Sequence, residues 1–75
     1  FNPTTTISYD IAKRTFVRLL IYDVLGREVR DLVNEEKGPG NYSVIFDASN
    51  LPSGVYFYKM VAGDFVGAKK LVVMK

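Results

Sequence analysis

The segment Asn50-Leu51-Pro52-Ser53-Gly54-Val55-Tyr56-Phe57-Tyr58 decides how the chain is read. Asn50, Pro52, Ser53 and Gly54 form a turn cluster: proline fixes φ, and glycine admits positive φ, so the backbone can reverse sharply. A run from Val55 to Ala62 follows, dense in aromatic and β-branched residues, as strands prefer. Gly63-Asp64 interrupts it, and a second such run extends from Phe65 to Met74. Two runs joined by two residues, one of them glycine, predict a β-hairpin. If Ala62 faces Phe65, then Tyr56 lies opposite Leu71, Tyr58 opposite Lys69 and Met60 opposite Gly67. Alternation then puts Tyr56, Tyr58, Met60, Phe65, Leu71 and Val73 on one face, which is expected to be core. Val55, Phe57, Lys59, Val61, Val66, Lys70, Val72 and Met74 share the other face, which is more apolar than a solvated face needs to be.

Upstream, the same reading gives further short strands. Thr5 to Ile11 alternates, with Ile7, Tyr9 and Ile11 on one face. Phe16 to Asp23 is apolar on both faces, as a central strand would be, and Val24-Leu25-Gly26 turns the chain. Arg27 to Val33 is expected to be a third strand; the helical spacing of Val29, Leu32 and Val33 competes, but the segment is short and lies between turn signals. Asn34 to Gly40 is expected to be a solvated loop. Asn41 to Asp47 alternates again, with Tyr42, Val44 and Phe46 inward. Phe1 to Thr4 is expected to be an opening turn. Short strands separated by turns predict an all-β, immunoglobulin-like β-sandwich of six or seven antiparallel strands, with Tyr56, Tyr58, Leu71, Val44, Phe46, Leu19 and Ile21 largely buried.

A chain of 75 residues is one small domain, residues 1–75. At this size about 60% of the unfolded surface is buried, so stability is modest. Ten Lys/Arg against eight Asp/Glu give a net charge of +2, and no basic stripe interleaved with aromatics points to nucleic acid. Without cysteine the sandwich must hold by packing alone, with no disulfide. No apolar run is long enough to span a membrane, so membrane insertion is not expected. The absence of His and Cys removes imidazole acid–base catalysis, thiolate nucleophiles and the usual zinc and copper ligands. Asp10, Asp23, Asp31, Asp47 and Asp64 are read as turn-capping or solvated groups. The Gly38-Pro39-Gly40 segment lacks the Lys-Ser/Thr of a phosphate loop. No catalytic residue, metal ligand or cofactor site is expected.

The phrase Asp47-Ala48-Ser49-Asn50-Leu51-Pro52-Ser53-Gly54-Val55-Tyr56 resembles the C-terminal sorting domain (type A) of the type IX, or Por, secretion system. Phe1-Asn2-Pro3-Thr4-Thr5-Thr6-Ile7, Ile21 to Val29, and the basic-apolar ending Lys69-Lys70-Leu71-Val72-Val73-Met74-Lys75 match as well, in the family's order. The same phrases are similar to the immunoglobulin-like domain of the flagellar hook-capping protein. The resemblance implies a non-catalytic secretion signal. It would direct a larger cargo through the periplasm to the cell surface or medium. Its partners would be the outer-membrane secretion machinery, a surface processing protease and the parent cargo domain. It also implies an Asn-Pro motif and a short strand ahead of this point. Because the chain begins at Phe1 rather than Met, it is expected to be a fragment of a larger secreted protein with an incomplete first strand. Lys69, Lys70, Leu71, Val72, Val73, Met74 and Lys75 are the expected recognition residues. The alternative function is a structural or glycan-binding accessory module of an extracellular hydrolase, docking through Val55, Phe57, Val61 and Val66, with Val72 beside them; contiguous exposed apolar surface commonly marks such a contact.

Overall fold

The computed structural model describes residues 3–75, so the opening turn expected at Phe1 to Thr4 lies partly outside the described residues. Six strands follow: β1 (Thr4–Ile11), β2 (Thr15–Asp23), β3 (Glu28–Lys37), β4 (Gly40–Asp47), β5 (Gly54–Ala62) and β6 (Phe65–Val73). All pairings are antiparallel, and the strands form two sheets, β1-β4 and β3-β2-β5-β6. The fold is thus an immunoglobulin-like sandwich of six strands.

Alternation builds the core. On β2, Val17, Leu19 and Ile21 are completely buried, consistent with a strand flanked on both sides by β3 and β5. They meet Ile7, Tyr9 and Ile11 of β1, Phe46 of β4, Tyr56 and Met60 of β5, and Val73 of β6. The expected burial of Leu19, Ile21, Phe46 and Tyr56 is found, whereas Tyr58, Leu71 and Val44 are only half-buried. For Tyr58 and Leu71 the cause is a mismatch in sheet width: two strands cannot cover the inward face of four.

The same mismatch corrects the placement of Phe65. It has the inward orientation expected from the hairpin, yet 57% of its surface is exposed. Its ring lies along the inward face over Gly67, close enough that a Cβ added at Gly67 would stand 3.0 Å from it.

The segment Asn34 to Lys37 is not loop but the second half of β3. Thr15, Phe16, Val17 and Arg18 pair with Lys37, Glu36, Glu35 and Asn34. The first half of β2 needs a ladder partner, and the backbone of this charged segment supplies one while the side chains of Asn34, Glu35 and Glu36 stay in water and that of Lys37 is half-buried. An Arg14–Glu36 ion pair at 3.1 Å joins the two ends. Only Gly38-Pro39 is left to cross to the other sheet. Register shifts in the β2–β3 ladder make Leu32 and Val29 extra residues, and both pack against the core. These bulges explain the helix-like spacing of Val29, Leu32 and Val33, since an inserted residue breaks strict alternation.

The turn cluster before β5 is locked by Tyr56, 5% exposed, whose hydroxyl donates to the Pro52 carbonyl at 2.7 Å. This is the tyrosine-corner arrangement of immunoglobulin-like sandwiches. Tyr56→Phe leaves that carbonyl without its donor, which is expected to cost about 1–2 kcal/mol. For a domain of this size the melting temperature should fall by roughly 4–16 °C. A calorimetric melt unchanged within 2–3 °C (about the smallest loss that scale resolves) would show that the corner contributes nothing.

Candidate functional site

The residues singled out for recognition and docking lie on the β5–β6 hairpin and the two residues that follow it, Met74 and Lys75. The turn is Gly63-Asp64, with Gly63 at φ 60°, a conformation that glycine adopts without strain. The register is the one expected: Ala62 faces Phe65, Met60 faces Gly67, Tyr58 faces Lys69 and Tyr56 faces Leu71.

That register separates the adjacent lysines. Lys69 lies on the inward face opposite Tyr58, at the uncovered margin, and is exposed; Lys70 lies on the outward face opposite Phe57. Leu71 packs against the core, and Val73 is 1% exposed. The final strand begins at Phe65 and ends at Val73, so Met74 and Lys75 lie beyond it. Lys75, beyond the strand, is tethered. Its Nζ donates to the Ser49 carbonyl at 2.7 Å, and its backbone N–H donates to Ser53 Oγ at 3.3 Å. The terminal segment thus presents its charges in three directions.

The Ser49 end carries a second anchor, the turn-capping role expected of Asp47. The Asp47 carboxylate accepts from the Ser49 hydroxyl and from the Ser49 N–H, the latter at 2.9 Å. The Ser49 hydroxyl bond above all, then its N–H, with the charges of Arg30 and Lys75 adding, hold the Asp47 carboxyl below its ordinary pKa despite some desolvation. Asp23 is held low in the same way, first by the Arg27 N–H and then by the Arg27 side chain and the Leu25 N–H.

At the opposite end Tyr9 and Tyr42 stack with ring centroids 5.5 Å apart, and Lys37 Nζ sits 5.0 Å above Tyr42. Burial pushes the Tyr9 phenol up against the opposing effect of Lys37. The Glu35 carboxylate, 3.2 Å from Lys37 Nζ, raises the lysine. Asp23 and Asp47 are lowered from 3.8, so their contribution is complete above that value and fades as pH falls through the folded-state pKa. Tyr9 and Lys37 are raised from 10.0 and 10.5, so theirs is complete below those values and fades as pH rises through the folded ones. Thermal melts by circular dichroism should therefore show a plateau from about pH 5 to pH 9 with losses on both flanks. A melting temperature still rising between pH 4 and pH 2 would contradict the assignment of the carboxylates.

The docking residues do share one face. Val55 is opposite Val72, and Val61 is opposite Val66. Phe57, Val66 and Val72 are 39%, 61% and 41% exposed, whereas Val55 and Val61 are half-buried. Lys59, opposite Ala68, and Lys70, opposite Phe57, stand between the two valine pairs, so the face is two apolar patches separated by lysines. Among the described residues no three acidic side chains converge as a metal site would require.

A family model described as the secretion system C-terminal sorting domain matches residues 2–74. No curated protein and no solved structure matches the chain.

Proposed function

The chain belongs to the family of C-terminal sorting domains of type IX secretion, and from that premise we propose that its terminal hairpin is the part the secretion machinery reads. Domains of this family mark proteins for export to the cell surface or medium. The domain is a signal, not a catalyst. The finer reading is that it rides at the end of a larger cargo and is recognised at the outer membrane after crossing the periplasm. A surface protease would then remove it. The match over nearly the whole chain carries this reading. The hairpin supports it, because β6 is the outermost strand of its sheet among the described residues. Such an edge can extend a partner's sheet through backbone hydrogen bonds, with flanking charges guiding the encounter.

The test is a charge reversal in a reporter fused to the domain and produced in cells with the type IX machinery. Lys70→Glu with Lys75→Glu is expected to keep the melting temperature within a few degrees, since exposed charges contribute little to stability. Surface or medium delivery is expected to fall several-fold. Melting and export both equal to the parent would show that the end is only a strand and that its charge is not read.

The accessory-module reading rests on the common face of Val55, Phe57, Val61 and Val66, and it predicts a different dependence. Phe57→Asp would then release the domain from its neighbour without altering export of an unrelated reporter.

A further inference from the structure

The sandwich is open on one side. β1 pairs only with β4, so along the other edge of β1 no strand lies beside it among the described residues. The eight-residue β1–β4 register has no bulge. The strand contains neither lysine nor proline, two devices that commonly blunt a sheet edge. Beneath and beside that edge runs a groove of about 760 Å³, bounded by the segment Ile7 to Thr15 on one side and the inward face of the hairpin on the other. Its floor is the surface that two strands fail to cover, Phe65 and Gly67, with half-buried Tyr58 and buried Met60 beside them.

The charges sit at the ends of the groove. Lys69 marks one end and Lys13, past the end of β1 near the hairpin tip, marks the other; both are exposed, and neither makes an ion pair among the described residues. Arg14 is engaged by Glu36, and Asp10 accepts from the Asn41 amide. Asp64 lies in the turn beside the Lys13 end and is the one acidic lining group without a side-chain partner among the described residues. From Phe65 through Gly67 to Lys69 the inward residues recur every second position, so the floor from Phe65 to Lys69 is about 13 Å long at roughly 3.3 Å per residue.

We propose that this groove receives an extended strand of acidic–apolar–acidic pattern, supplied in trans by the secretion machinery and paired with the free edge of β1. The proposal rests on the sorting function of the family. The two apolar side chains of the incoming strand lie on the Phe65 ring, which itself covers Gly67. Acidic groups two residues beyond each meet Lys69 and Lys13. Completion of the smaller sheet to three strands would cover the exposed Phe65 ring.

The probe is the heptapeptide Glu-Thr-Val-Thr-Val-Thr-Glu, which has the same side-chain pattern in either strand direction. Its neutral counterpart carries Gln at both ends. The domain is expected to bind the acidic peptide with a Kd below about 1 mM and the neutral one about tenfold more weakly. Amide hydrogen exchange should slow in β1. Lys13→Glu, outside the terminal strand, should weaken binding by a similar factor, keep the parent melting temperature, and reduce reporter export. No binding of the acidic peptide, or no difference between the two peptides, overturns the proposal. A dimer with protected β1 amides would make a second copy of the chain the occupant, and overturns it too. So does a cargo fusion that excludes the peptide when the isolated domain binds it, because a cargo segment then fills the groove. If Lys13→Glu loses the peptide but is exported like the parent, the machinery does not use the groove. The sorting reading would survive that outcome; failure of the parent fusion to be exported would sink it separately.

Discussion

A chain ended at Phe65 is expected to lose its fold and to leave its cargo inside the cell. The deletion removes β6 after its first residue, and with it eight of the nine pairs in the ladder to β5. Val73 is almost completely buried, and Leu71 packs against the same core. Burying a residue of this kind contributes about 1.5–3 kcal/mol. The loss also strips Lys75 from the Ser49 carbonyl and from Ser53. A domain of this size is stable by only about 4–11 kcal/mol at the usual 0.05–0.15 kcal/mol per residue. The truncated chain should show no cooperative melt by circular dichroism, and a reporter carrying it should remain unexported. A cooperative transition within a few degrees of the parent would show that β6 is dispensable to the fold, and export equal to the parent would remove the terminal strand from the signal.

What could be read from the sequence and what could not have separate physical causes. The β5–β6 register was legible because a two-residue link leaves one pairing that keeps Tyr56, Met60 and Val73 on the core face. A one-residue slip would have turned that whole set to solvent. The second half of β3 was not legible, because Asn34 to Lys37 carries polar side chains and is held by its backbone ladder rather than by burial. The exposure of Phe65 was hidden for another reason: alternation reports which way a side chain points, whereas cover depends on how many strands the facing sheet has. The recognition residues were legible as a segment. Their dispersal was not, because the tether of Lys75 depends on Ser49 and Ser53, more than twenty residues earlier, coming back beside the chain's end.

Phe46→Ala should decide whether the machinery reads a folded domain or a linear tail. Phe46 has no exposed surface and is the largest of the completely buried side chains. It anchors β4 to the core on the strand that pairs with β1. Replacing a buried phenylalanine by alanine costs about 3–5 kcal/mol through lost burial and the cavity left behind. Against a total of about 4–11 kcal/mol that loss removes between about a quarter and all of the stability, so the unfolded fraction at 37 °C should rise roughly a hundred-fold or to nearly the whole population. Yet the variant keeps every residue from Lys69 to Lys75 in place. Within the folded domain the terminal charges have fixed positions: Lys69 and Lys70 on opposite faces, Lys75 held at Ser49. Unfolding erases that arrangement while preserving the linear sequence. Export of a Phe46→Ala fusion should therefore fall in step with its folded fraction, followed by urea titration of the isolated variant beside surface delivery of the reporter. Restoring part of the lost volume with Phe46→Leu should recover both together. If Phe46→Ala is unfolded at the growth temperature and its reporter still reaches the surface as the parent does, the signal is the linear tail. The sandwich would then serve only to carry it.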